Sequence, residues 1–279
     1  MDNILSVKNL SKQFQSFKLN DINFELPKGC IMGVVGENGA GKTTLIKLIL
    51  ELLKKDSGET LFFGGKNFKD VSENIGVVFD DVYFPQTLTV KQIGKILGST
   101  YSTWNQRKFE EMLKYFSLPE NVFFYNFSKG MKLRLGIAIA FSHDTRLLIF
   151  DEATSGIDPV ARDEISDILR EYISDGEKSV LISSHILSDL EKICDYIMFI
   201  HKGNMVFCMP KDDIIYGYQI VKCTKEQFKS VDNNAVIGSR TSEFGVEFLA
   251  KSDLKISGAI CERPTIEDIM VYYVKGEQK

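Results

Sequence analysis

Gly36-Glu37-Asn38-Gly39-Ala40-Gly41-Lys42-Thr43-Thr44 is the stretch on which the reading of this chain turns. It satisfies G-x-x-x-x-G-K-[ST] at every fixed position. The apolar run Ile31 to Val35 leads into it and reads as a buried strand. Leu45 to Leu53 follows it and reads as the continuation of a helix begun at Thr43, ended by Lys54, Lys55 and Gly58. A strand, a glycine loop and a helix in that order make a phosphate site. Glycines let successive backbone N–H groups point at one anion, and the helix N-terminus adds partial positive charge. Lys42 is placed to reach β- and γ-phosphates and the Thr43 hydroxyl to ligate Mg²⁺.

The totals narrow the class. With 279 residues, 44% hydrophobic and 26% charged, the chain has ordinary globular composition and enough length for one large domain plus an appendage. A net charge of −4 gives no basic footprint for nucleic acid. Cys30, Cys194, Cys208, Cys223 and Cys261 form no C-x-x-C and no metal spacing with histidine, which points to reduced thiols. Met1-Asp2-Asn3-Ile4 lacks the basic and apolar regions of a secretory signal. No apolar run approaches the ~20 residues that cross a bilayer. A soluble, cytoplasmic chain is expected, with any membrane role depending on other chains.

Short alternating strands, Ile4–Val7 and Ile22–Leu26, flank Phe14 and Phe17 and suggest an antiparallel layer ahead of the loop. Glu59 to Phe63 with Gly64-Gly65 reads as a hairpin, and Ile75 to Phe79 as a buried strand ending at Asp80-Asp81. From about residue 87 to 142 the periodicity is helical, with Thr87 or Thr89 capping the first helix and Trp104 as packing. Strand and helix then alternate through Leu147–Phe150, Val160–Ser174, Ser179–Ser184, Ile186–Cys194 and Tyr196–Ile200. That alternation predicts an α/β fold with a mostly parallel sheet covered on both faces. Ligands bind such sheets at the carboxyl ends of the strands, so the glycine loop, Asp80, Asp151 and His185 should share one edge. The expected organisation is a P-loop NTPase domain over 1–210 with an N-terminal antiparallel layer and an inserted helical subdomain. A small α+β extension is expected over 211–279.

Asp151 follows four apolar residues, the position of a carboxylate that holds the Mg²⁺ of a bound nucleotide. Glu152, one residue on, is placed as a general base for a water. Adjacent side chains at a strand end diverge, so the two carboxylates can face different groups.

Four further stretches carry a family resemblance. Asn126-Phe127-Ser128-Lys129-Gly130-Met131-Lys132-Leu133-Arg134-Leu135 resembles the ABC signature motif in an S-K-G-M form. Ser155-Gly156-Ile157-Asp158-Pro159 resembles the D-loop, His185 after Ser183-Ser184 resembles the switch histidine, and Phe14 resembles the aromatic that stacks on adenine. Together with the glycine loop and Asp151-Glu152, these resemble ATP-binding subunits of ABC transporters from about residue 3 to 210, in an ABC-2 exporter-like form. The resemblance implies ATP and Mg²⁺ as cofactors. It implies catalytic roles for Glu152 and His185, ATP contacts at Phe14, Gly36 to Thr44, Ser128, Lys129 and Gly130, and Mg²⁺ contacts at Thr43, Asp151 and Asp80. It further implies a head-to-tail dimer, of identical or different ABC subunits, in which Ser128 and Gly130 meet the opposite subunit's γ-phosphate. A separate transmembrane permease would be the other partner, with this chain peripheral on the cytoplasmic face of the membrane, and no nucleic acid.

Two departures stand out. The family carries glutamine where this chain has Asp80, and Lys129 and Met131 replace the signature's glycine and glutamine. Asp80 either ligates Mg²⁺ or repels phosphate, and Lys129 adds positive charge that can compensate. The apolar Val82-Tyr83-Phe84-Pro85 is either loop packing or a grip for a membrane subunit. His143 and His201 are expected to be structural or exposed. The competing class, a non-transport ABC ATPase acting on ribosomes or nucleic acid, normally has two nucleotide domains, a coiled-coil insertion or zinc cysteines, none of which is seen. A GTPase would need an N-K-x-D motif, which is absent.

Overall fold

The computed structural model describes residues 3–80, 84–154 and 157–275. Strands β1 (Asn3–Gln13) and β2 (Lys18–Pro27) pair antiparallel and form the N-terminal layer. β3 (Ile31–Val35), buried throughout, feeds α1 (Lys42–Ile49). β4 (Ser57–Phe62), α2 (Phe68–Val71) and β5 (Ile75–Phe79) follow. Three helices come next: α3 (Val90–Thr100), α4 (Gln106–Tyr115) and α5 (Lys129–Ala140). The alternating part runs β6 (Leu147–Asp151), α6 (Pro159–Ile173), β7 (Ser179–Ser183), α7 (Leu187–Ile193), β8 (Tyr196–His201) and β9 (Asn204–Pro210). The chain closes with α8 (Lys211–Gly217), β10 (Tyr218–Cys223), α9 (Lys225–Lys229), β11 (Gly238–Ser242), β12 (Gly245–Lys251), β13 (Ile260–Glu262) and α10 (Ile266–Lys275).

The first sheet has nine strands in the order β4-β1-β2-β9-β8-β3-β7-β6-β5. From β8 to β5 all neighbours are parallel. Strands covered on both faces need apolar residues at consecutive positions, which is why these five read as unbroken runs. Successive residues of β3 part to opposite sides. Ile31 and Val35 join one core with α3 to α7, while Met32 and Val34 join the other with α1, β1 and β2. Because the five strands run the same way, their carboxyl ends lie along a single edge. The last residues of β3, β6 and β7 therefore arrive beside one another.

Three local features differ from expectation. α1 stops at Ile49, not Leu53: Glu51 turns to φ +52°, and the N–H groups of Leu52 and Leu53 fold back to Lys47 O at 2.9 and 3.1 Å. Leu52 is exposed, so no apolar face rewards another helical turn. The expected hairpin at Gly64-Gly65 is a tight turn closed by a single Phe62–Lys66 bridge, and β4 spends its ladder on β1 instead. Strand β9 was not anticipated. It returns antiparallel along β8 and connects to β2 through Asn20 and Asn204. Of the two candidate threonines, Thr89 caps α3, in a reciprocal box with Gln92.

The second sheet, in the order β11-β12-β10-β13, is antiparallel throughout. One face carries its own cluster around Val221, Val246 and Phe248. The other side shares the larger core: Ile220 and Leu249 join it, as do Ile266, Ile269 and Tyr272 of α10. Tyr273 sets its ring edge-on to Phe199 and Phe207 at 6.1 and 6.0 Å. Among the described residues, no helix is long and apolar enough to cross a membrane.

Candidate functional site

Gly41 sits at the N-cap of α1 with φ +118°, a conformation that an L side chain resists. A Cβ there would come within 2.9 Å of both Leu19 and Phe17, so the loop is wrapped closely by the N-terminal layer. Ala40 N donates to Glu37 O at 3.0 Å, and Ala40 O accepts from Gly203 N at 2.9 Å, in the turn between β8 and β9. Lys42 is buried. Its Nζ donates to Gly36 O at 2.8 Å and Glu37 O at 3.2 Å and faces Glu152 Oε1 at 3.1 Å. The loop from Gly36 to Thr44 thus curls around its own lysine at the head of α1. A cavity of about 370 Å³ opens there, walled by Phe17, Asn38, Gly39, Gly41, Lys42, Thr43, Thr44, Asp80, Glu152 and His185.

Asp151 ends β6 and Ser183 ends β7, in register across the parallel pair. Asp151 Oδ1 accepts from Ser183 Oγ at 2.8 Å and from Thr43 Oγ1 at 3.1 Å. Glu152 then takes φ +52°, strained for a side-chain-bearing residue. That turn is held by its N–H, which donates to Ser183 O at 3.1 Å and Ser183 Oγ at 3.0 Å. It aims the Glu152 carboxylate away from Asp151, between Lys42 and His185, whose Nδ1 lies 2.6 Å from Glu152 Oε2. The two neighbouring carboxylates therefore do diverge.

Their protonation differs with their surroundings. Burial pushes the Asp151 carboxyl up, and the charge of Glu152 adds to this, while the bonds from Ser183 and Thr43 oppose it. Burial also presses upward on Glu152. There the His185 bond and the Lys42 charge outweigh it and hold the carboxyl below its usual range. Glu152 is thus an ionised acceptor at neutral pH.

The raised Asp151 value has a consequence for stability. A carboxyl whose folded pKa lies above its unfolded value of 3.8 favours the fold at low pH. That contribution is lost as pH rises from 3.8 through the folded value. Asp151→Asn removes the titration and keeps an acceptor for Ser183 and Thr43. The nucleotide-free variant should melt higher at pH 7, with no gain near pH 3. Thermal melts at the two pH values decide it; a lower melting point at pH 7 refutes the argument.

The structure gathers Gly36 to Thr44, Asp80, Asp151, Glu152 and His185 on one edge. Asp80 follows β5, its N–H donates to Asp151 O at 2.9 Å, and it lines the cavity. Its carboxylate is engaged by the Lys129 ammonium of the same chain. Ser128 caps α5, its Oγ accepting from Met131 N at 3.2 Å. A Cβ on Gly130 would meet only Ile157, at 3.9 Å, so that turn is open. Neither Ser128 nor Gly130 lines this chain's cavity. Phe14 does not line it either: the ring against the loop is Phe17, with Phe14 at 6.2 Å from it and partly exposed.

Ser155 and Gly156 of the D-loop lie outside the described residues. Asp158 caps α6, accepting from Ala161 N at 3.0 Å, with Pro159 in the first turn. Asp81, Val82 and Tyr83 also lie outside them, and Phe84 packs edge-on to Phe124 at 5.7 Å. His143 is structural, buried against Tyr101 with Nδ1 2.8 Å from Glu73 O. Sequence reasoning gave no site role to Ser183, Phe17 or Gly203 and expected His201 to be structural or exposed; the His201 Nδ1 lies 3.5 Å from Glu37 Oε2 in the glycine loop. A serine ending an otherwise apolar buried strand was the available signal, since a buried hydroxyl needs partners.

Comparison with known proteins agrees with this geometry. The family described as "ABC transporter" matches residues 19–155. The Bacitracin transport ATP-binding protein BcrA of Enterococcus faecalis is 34% identical over 212 residues, which span 74% of this chain and 69% of that protein. The Lantibiotic transport ATP-binding protein SrtF of Streptococcus pyogenes is 34% identical over 210 residues, 73% of this chain and 89% of that one. A solved structure described as an ATP binding subunit of an ABC transporter superposes with a TM-score of 0.69 at 28% identity, covering 76% of this chain and 91% of that one. The chain belongs to the ATP-binding subunits of ABC transporters, and it is an ATP-binding ATPase.

Proposed function

We propose that this subunit hydrolyses ATP to drive export through a separate membrane subunit, and that it does so as one half of a head-to-tail pair. The ionised Glu152 carboxylate, held between Lys42 and His185 at the mouth of the phosphate loop, carries the catalytic reading. The N–H groups at the head of α1 and the Lys42 ammonium bind the β- and γ-phosphates. Glu152 takes a proton from a water that attacks the γ-phosphorus, and the bond to the β,γ-bridging oxygen breaks to leave ADP and phosphate. His185 holds Glu152 in place and turns toward the γ-phosphate. Thr43 Oγ1 and Asp151 are hard oxygen donors meeting on one side of the loop, a set suited to Mg²⁺. When bound, Mg²⁺ would neutralise charge on the phosphates. The Asp80 carboxylate, committed to Lys129, is left outside that donor set.

Neither Ser128 nor Gly130 lines the cavity of its own chain, which supports a partner copy, identical or homologous, completing it. The division into an ATPase domain over 1–210, with its helical insert at about 87–142, and an extension over 211–279 belongs to the same reading. Export of peptide-like antibiotics is suggested by the names of the bacitracin and lantibiotic relatives. In this reading the chain works at the cytoplasmic membrane face, beside the membrane subunit it would drive.

A mixing experiment tests the paired site. Chains with Lys42→Ala and chains with Ser128→Arg should each lose at least about 99% of turnover, the scale of a lost transition-state contact. Mixed together they should regain activity, because one composite site then has two intact halves. No recovery on mixing, together with turnover per chain that is unchanged on dilution, would overturn the pairing.

A further inference from the structure

We infer that Lys129 serves the phosphate end of its own chain's cavity, where it neutralises Asp80, and not only a nucleotide held by a partner copy. The inference rests on the ATP reading above and concerns the same site. Asp80 and Lys129 are the two charged departures from the family pattern, and the structure joins them as an ion pair. They come from different elements: Asp80 from the end of β5, Lys129 from the first turn of α5.

The position of Asp80 is fixed by its backbone. Its N–H donates to Asp151 O at 2.9 Å, so it stands on the ledge that also carries Asp151 and Glu152. Two carboxylates, Asp80 and Glu152, line the cavity, Asp151 is bonded to its Thr43, and Lys42 is already shared with Glu152 and two loop carbonyls. A neutral glutamine in place of Asp80 would add no charge there. An aspartate adds one, and unopposed it repels a triphosphate. Lys129 removes that charge without leaving its own chain. The pair is therefore a two-residue replacement for one neutral side chain.

The side chains of Lys129 and Asp80 are 41% and 44% exposed, so salt screens the pair and it adds little to folding stability.

The experiment measures MgATP affinity by calorimetry at a protein concentration where sedimentation shows single chains. Under that condition no partner can use Lys129. Lys129→Met should weaken binding about three- to tenfold, the range for one uncompensated charge in a half-solvated site. Asp80→Asn should bind at least as tightly as wild type. The double variant should return to within about twofold of wild type, because the charge and its counter-charge leave together. Raising the salt concentration should shrink the loss in Lys129→Met. Wild-type affinity in monomeric Lys129→Met, or losses that add in the double variant, would overturn the inference. Lys42→Ala in the same assay separates the two readings: if it binds as well as wild type, the phosphate-loop assignment itself fails, whatever Lys129 does.

Discussion

Glu152→Gln should cut steady ATP turnover by about 10²–10⁴-fold, the usual worth of a general base, while leaving ATP binding intact. Glutamine fills the same space and can still bond His185, but it cannot take a proton from water. The removed charge also relieves Lys42, which now faces a carboxylate at 3.1 Å and could turn fully to phosphate. Affinity should therefore hold or tighten, and paired subunits should accumulate with ATP trapped between them. Size-exclusion chromatography with ATP reads the second effect, and phosphate release reads the first. Turnover above about a tenth of wild type would remove Glu152 from its role.

The second large effect lies away from the chemistry, at Gly203. This residue makes the turn between β8 and β9 at φ +78°, and a Cβ would lie 1.8 Å from Lys18 O. Its N–H holds Ala40 O of the phosphate loop at 2.9 Å, while its own carbonyl accepts from Asn20 N at 2.8 Å. Gly203→Ala adds left-handed strain to a clash with backbone that has nowhere to go. The cost should be about 3 kcal/mol, or a melting point lower by roughly 6–12 °C. MgATP affinity should fall too, because the loop loses its brace. Gly176→Ala is the control: its φ is +74°, but a Cβ there meets nothing within 4 Å. If both variants melt alike, contact at Gly203 is not what matters.

The parts of the site that could be read beforehand share a physical cause. β3, β6 and β7 are covered on both faces, so each is an apolar run that stops at its functional residue, and the stop is visible in one dimension. The end of β5 was visible for the same reason. What those residues touch was not. Nothing local tells Asp80 that its counter-ion begins α5. Phe14 and Phe17 flank the same turn, and spacing does not say which ring leans on Gly41. Strand β9 was passed over although Met205-Val206-Phe207-Cys208-Met209 is apolar throughout; of these only Phe207 is fully buried. Helix α1 was drawn too long because Leu52 and Leu53 continue its apolar composition after its packing has ended.

The register of β3 bears on how the protein is made. Ile31 lies opposite Val180 on one side, and Met32 opposite Tyr196 on the other. A chain emerging from the ribosome completes the glycine-rich sequence early, long before either flanking strand exists. At 5–20 residues per second the wait is about 7–30 s. Throughout that interval the segment is an exposed apolar strand with no sheet to enter, so the first coenzyme-sized ligand it can hold arrives only after most of translation is over.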